Sequence, residues 1–367
     1  MYDFISDQSR RRIQEKIDFQ RQQKVEAAVE HIIEFAKTPV ELKQELDRFI
    51  IGQEKGKKIM ATAIAFHYRR LGYALKESLA ENGKDIDQAL RQTRTPKANI
   101  VLIGPTGCGK TYTAETASQL VGVPFVVEDL TKFSETGYVG RNTSDILLDL
   151  LVAAGGNPQV AQMGIVYLDE VDKVATEAVS QRDVSGRGVQ KGLLKLVEGV
   201  DNTLEVGKER YSLSTKHVLF IAGGVFDKLD TIVQKRLDRH GFSGDWRDHL
   251  LTEDLVVFGM ERQLMGRFPV RVTYDLLTTD NLVDILTQSE DSPLKAYRHD
   301  FKTWGIDLEF APAALRAVAR RAQQERTGAR GLINILHRVL GEDMFQLPGT
   351  YNGRLQVDEN YVSRRLL

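Results

Sequence analysis

From Asn99 onward, short apolar runs alternate with stretches of helical spacing: Ile100 to Ile103, Phe125 to Val127, Ile165 to Leu168 and Val218 to Ala222. Strands that are apolar at every position, and not at alternate ones, are buried on both faces. Helices must then cover a parallel sheet from both sides, which makes this an α/β chain. Past Pro269 one more strand, Val270 to Tyr274, leads into helical segments at Ala313 to Gln324 and Leu332 to Phe345. A second, smaller and mostly helical domain follows from that change of period.

Ahead of the sheet, Ile13, Ile17, Val25, Val29, Ile32 and Ala36 have loose helical spacing, predicting one helix within residues 7 to 37. Thr38-Pro39-Val40-Glu41 then starts a fresh helix: Thr38 caps, Pro39 suits the first turn and Glu41 completes a capping box. The boundaries expected are an N-terminal helical extension over 1–38, a large domain over 39–270 and a small domain over 271–367. After Ile51-Gly52-Gln53 a further helix should reach Leu75, and the polar stretch from there through Arg94 reads as a surface excursion.

The strand ending at Ile103 runs into Gly104-Pro105-Thr106-Gly107-Cys108-Gly109-Lys110-Thr111, and a helical pattern follows. In that context the octapeptide is a P-loop. Its glycines let backbone N–H groups converge on phosphate oxygens at the positive end of a helix. Lys110 supplies a charge for β and γ phosphates, and the Thr111 hydroxyl is placed for Mg²⁺. Cys108 suits its place by being small, and a thiol at a helix N-terminus should also have a lowered pKa and be open to alkylation. Further on, the strand Gly164 to Leu168 ends in Asp169-Glu170, a Walker B pattern. Asp169 offers a hard oxygen ligand for the metal, and Glu170 can orient and deprotonate an attacking water. Together the two motifs predict ATP hydrolysis.

Composition narrows the partners. Lys+Arg at 50 against Asp+Glu at 51 leaves a formal charge of −1, which disfavours a nucleic-acid motor. One cysteine in 367 residues excludes intramolecular disulfides and any multi-cysteine zinc module. No run approaches the ~18 apolar residues of a membrane helix, and the acidic N-terminus is unlike a transit peptide. A soluble cytoplasmic protein is expected.

With the two motifs placed, the chain from about Pro39 to Val362 resembles the AAA+ unfoldases of the ClpX and HslU group. Ile51-Gly52-Gln53 resembles the segment that packs against adenine there, and Val218 to Gly224 resembles the sensor-1 strand. Gly266-Arg267-Phe268-Pro269-Val270 resembles the box carrying the arginine finger. Thr327-Gly328-Ala329-Arg330-Gly331-Leu332 resembles sensor 2. The resemblance thus implies a homo-hexameric ring in which Arg267 reaches a neighbour's γ phosphate and Arg330 touches its own nucleotide. Gly137-Tyr138-Val139-Gly140 is similar to the pore-1 loop that grips unfolded or tagged polypeptide. Arg182-Asp183-Val184-Ser185 opens a segment similar to the pore-2 loop. Its short distance from Asp169-Glu170 leaves no room for the long inserted domain of HslU, so ClpX is the nearer relative.

Three departures stand out. The zinc domain of ClpX needs four cysteines, which this chain lacks. The pore-entrance stretch Leu204 to Leu213 is short and reads as a hairpin around Gly207-Lys208. The nearest match to the loop that docks on a ClpP-type peptidase is His240-Gly241-Phe242, whose imidazole fits an apolar cleft poorly. A stand-alone remodeller without a peptidase is therefore the alternative to an unfoldase that feeds one.

Overall fold

A computed structural model describes residues 7–81, 85–133, 141–175, 184–206, 209–239 and 244–366. Its strands are β1 Ile100–Ile103, β2 Phe125–Asp129, β3 Ile165–Asp169, β4 Asp201–Val206 and β5 Glu209–Ser214. They continue with β6 Leu219–Gly224, β7 Val270–Thr273, β8 Ile306–Phe310 and β9 Gly353–Val357. Five of them form one sheet in the order β2-β3-β6-β1-β7, every pair parallel.

The apolar runs account for this arrangement. Along β1, Val101 and Ile103 enter one core and Ile100 and Leu102 the other. The first core is closed by the helices Asp145–Ala153, Val184–Val197 and Leu229–Arg239, and the second by Glu54–Glu81 and Lys110–Val121. Buried Asn99 stitches the amino end of the sheet: its Oδ1 accepts from Phe220 N at 3.1 Å and its Nδ2 donates to Arg267 O at 2.9 Å.

The first helix, Asp7–Glu34, packs Val25, Val29 and Ile32 into the second core. Gly72 permits this, because a Cβ there would stand 2.2 Å from Ile32 O. The capping box forms as expected: Glu41 N donates to Thr38 Oγ1 at 3.2 Å, and Thr38 N to Glu41 Oε2 at 2.8 Å. Two expectations need correction. The helix after Gln53 continues to Glu81, and the supposed excursion holds a further helix, Ile86–Gln92. Asp85 caps that helix, and its Ile86, Ala89 and Leu90, at helical spacing, turn to the second core, a pattern of one turn being too short to stand out among polar neighbours.

β4 and β5 pair antiparallel from Asp201↔Ser214 to Val206↔Glu209, which leaves a two-residue connection at 207–208. Beyond β7 a third core gathers Leu282, Leu294, Phe301, Leu315, Val318, Leu336 and Leu340. The helices Thr279–Thr287, Pro293–Thr303, Pro312–Gln324 and Gly328–Gln346 supply it. A parallel β8–β9 pair joins them, which helical spacing alone did not announce.

Candidate active site

Every carboxyl end of the parallel strands opens on one side, where ligands of such sheets bind. The turn after β1 starts at Gly104, whose N–H donates to Gly224 O at 3.2 Å. A Cβ on Gly104 would meet Tyr274 Cβ at 2.8 Å, so only glycine lets the turn lie this close to the exit of β7. Gly107 (φ +75°) and Gly109 (φ +96°) take left-handed conformations, and no side chain caps the helix that follows. Its first N–H groups therefore remain available to an anion. Lys110 folds back over the loop, its Nζ donating to Gly104 O at 2.6 Å and Pro105 O at 3.0 Å. An ammonium held on two carbonyls beside uncapped N–H groups suits a polyphosphate.

At the end of β3, Asp169 Oδ2 accepts from Thr111 Oγ1 at 3.4 Å and Oδ1 from Glu170 N at 3.0 Å. Glu170 has φ +57°, unusual for a residue with a side chain. Such strain persists where surrounding contacts impose it and concentrates at functional sites. Asp172, not singled out from the sequence, helps impose it. Its buried carboxylate accepts from Val225 N at 3.3 Å and Phe226 N at 3.2 Å, tying the turn after β3 to the end of β6. The two glycines ending β6 make room: a Cβ on Gly223 would strike Tyr167 OH at 1.9 Å, and one on Gly224 would strike Asp172 Oδ1 at 2.6 Å.

These parts line a cleft of about 440 Å³. Its walls include Ile50 and Ile51, residues 106–111, Asp169, Glu170, Asp172 and Gly224, and the C-terminal unit adds Leu277, Ile285, Ala329, Arg330 and Ile333. The lining offers apolar side chains that suit a base, Ile51, Leu277, Ile285 and Ile333, and polar groups that suit phosphates, Lys110, Thr111 and Arg330. The two units meet backbone to backbone: Ala329 N, at the start of the helix Gly328–Gln346, donates to Gly107 O in the phosphate loop at 3.0 Å.

Of the Ile51-Gly52-Gln53 segment, only Ile51 lines the cleft. Gln53 is buried and turned to the chain between the units, its Nε2 donating to Asp275 O and its Oε1 accepting from Asp275 N, both at 2.8 Å. Its Nε2 also reaches Cys108 O at 3.3 Å. Cys108 requires a correction. The thiol is buried, and burial pushes its pKa up despite the nearby Lys110, so the expected activation by the helix end is overruled. Arg330 faces the cleft, whereas Arg267 does not line it and instead pairs with Glu198 Oε1 through Nη2 at 2.7 Å. Tyr138, Val139, Arg182, Asp183 and His240 to Phe242 lie outside the described residues; Val184 and Ser185 begin the helix Val184–Val197.

Residues 95–271 match the AAA domain (Cdc48 subfamily), and residues 277–356 match the C-terminal, D2-small domain of ClpB protein. Sheet, P-loop and cleft are thus those of an AAA ATPase, which binds and hydrolyses ATP. Among curated relatives, the ATP-dependent Clp protease ATP-binding subunit ClpX of Borrelia duttonii is 40% identical over 334 residues, 85% of this chain and 75% of the relative. ClpX 3 of Methylococcus capsulatus is 38% identical over 337 residues, 84% and 76% of the two chains. The ClpX of Treponema denticola is 36% identical over 334 residues, 85% and 77%. The chain belongs to the ClpX family.

Proposed function

We propose that this chain assembles into a homo-hexameric ring that spends ATP to unfold polypeptides and thread them through its axis, delivering them to a ClpP-type peptidase. The observation that carries this reading is the division of one chain's phosphate chemistry. Lys110, Thr111, Asp169, Glu170 and Arg330 share a cleft that Arg267 does not line. Arg is always charged and forks on to phosphate oxygens, so an Arg267 outside its own cleft suits service in a neighbour's. Such a contact is head-to-tail and closes into a ring.

Within the cleft, Ile51 covers the base and the glycine-loop N–H groups hold the phosphates. Lys110 exchanges its two carbonyl partners for phosphate oxygens. Glu170, held in its strained turn, takes the proton of the attacking water. Thr111 and Asp169 present hard oxygens, the donor chemistry that Mg²⁺ prefers, and would hold that ion. Bound there, Mg²⁺ supplies charge neutralisation at the β and γ phosphates. Arg330 joins the small domain to the nucleotide, so turnover can move one domain against the other. Tyr138 and Val139 would grip substrate by van der Waals contact, which suits any sequence, and residues 182 to 185 would line the pore below. Among the described residues no helix is long and apolar enough to cross a membrane, which accords with a cytoplasmic setting.

The test compares Glu170→Gln and Tyr138→Ala. Glu170→Gln should bind ATP and lose at least about a hundredfold in hydrolysis. Tyr138→Ala should lose most of its unfolding of a folded, tagged reporter per ATP hydrolysed. A Tyr138→Ala ring that unfolds the reporter at the wild-type ratio would refute threading by this loop.

A further inference from the structure

We propose that Arg141 is a positioning residue for polypeptide pulling, clamping the root of the 134–140 segment to the large domain so that motion there reaches the substrate. The inference rests on the proposed reading of Gly137 to Gly140 as the gripping loop.

Three sets of contacts meet at Arg141. Its N–H donates to Lys132 O at 3.0 Å and it forms an isolated parallel bridge with Phe133, so the two ends of the segment are joined to each other. Its guanidinium then serves two carboxylates, Nη1 donating to Glu128 Oε2 at 2.9 Å and Nη2 to Asp149 Oδ2 at 2.5 Å. The same group lies 5.4 Å from the centroid of the Phe133 ring. One side chain thereby cross-links β2, the helix Asp145–Ala153 and the far root of the segment.

Burial separates this from an ordinary surface pair. Glu128 is 2% exposed, and a carboxylate there needs its cation, because a buried charge left alone is costly. A planar fork can serve two carboxylates at once, which an ammonium cannot do with the same geometry. The clamp also sits one strand from the hydrolytic carboxylates: in the β2–β3 register Glu128 faces Leu168 and Asp129 faces Asp169. A shift at Asp169-Glu170 is therefore passed to the segment root through two paired strands and one ion pair.

The Glu128 carboxyl is pushed up to about 7, chiefly by burial, with Asp149 and Asp145 reinforcing and Arg141 opposing. Above that pH Glu128 is ionised and grips Arg141 with full charge. Below it the carboxyl is neutral, and Asp149 holds the arginine alone.

The measurement is reporter unfolding per ATP hydrolysed, on the full-length protein between pH 6 and 8. The wild-type ratio should rise with pH, and Glu128→Gln should flatten that rise. Arg141→Ala should lower the ratio about tenfold, as loss of a charge-assisted contact implies, with partial rescue by Arg141→Lys. A merely structural role would depress hydrolysis and thermal stability together and leave the ratio alone. If Arg141→Ala fails to fold, the Arg141→Met/Glu128→Gln pair removes both charges and is held to the same tenfold loss. A ratio within twofold of wild type in these arginine variants, while Tyr138→Ala abolishes it, overturns the clamp and leaves the gripping loop standing. Wild-type ratio in Tyr138→Ala overturns both.

Discussion

Gly328 sits where the small domain touches the phosphate loop, and replacing it with alanine should open the cleft. Its φ is +58°, and an added Cβ would stand 2.5 Å from Gly107 O and 2.9 Å from Gly107 Cα. Both obstacles are backbone, so no rotamer change relieves them. The left-handed conformation costs alanine about 1–2 kcal/mol, and forcing an extra methyl into a filled contact costs about 1–3 kcal/mol. The strain is released most cheaply if the helix Gly328–Gln346 backs away from the loop, breaking the Ala329–Gly107 hydrogen bond and withdrawing Arg330 and Ile333. If about 2–4 kcal/mol is taken from the closed form, nucleotide affinity should fall by about 30-fold to 1,000-fold. Titration with a fluorescent ATP analogue reads this directly. Gly341→Ala is the matched control, since it lies in the same helix with nothing within 4 Å of the new methyl. Equal nucleotide affinity in Gly328→Ala, Gly341→Ala and the wild type would refute the argument from backbone contact.

Two further outcomes follow from burial. A maleimide should label Cys108 in the native chain at least about tenfold more slowly than in urea, since its thiol is covered and its pKa raised; equal rates would contradict the buried placement. His67, fully covered and bonded through Nε2 to His217 O at 3.1 Å, has its pKa pushed down from 6.5 to about 3 by burial. A base that resists protonation only when folded adds stability above its unfolded pKa and loses it as the pH falls below. Denaturant titrations should therefore show about 2 kcal/mol lost between pH 6.5 and 5 through this group, and His67→Phe should lose that much less. Identical losses in both proteins would mean that His67 is solvated.

Much of the nucleotide site was legible because its signals are local. An apolar run, a glycine loop and a helical period lie within one short stretch around Gly104 to Thr111, and Thr38 and Glu41 are three residues apart. The roles expected of Arg267 and Arg330 came from family likeness alone. What the sequence concealed depends on distant contacts. Gln53 reads as part of a base-binding segment until its partner Asp275 is seen 222 positions away. Cys108 is placed at a helix end by its position and under a covering core by the fold, and the second effect wins. Asp172 follows a conspicuous carboxylate pair, yet only the neighbouring β6 terminus gives it a task. Ile86, Ala89 and Leu90 show that a single apolar turn suffices for a short helix once a large domain offers a place for it.

The pair of hydrogen bonds between Gln53 and Asp275 also limits how the molecule can flex. Both polar groups of the Asp275 backbone are held to the large domain, and the core of the small one already begins at Leu277. Leu276, 61% exposed, is the one residue of backbone between those two points. It acts as a wrist of one residue. Swinging about it must part Tyr112 from Asp291, Arg48 from Glu290 and Ala329 from Gly107, fastenings spread along the seam, so the hand is either gripped shut or turned as a single piece.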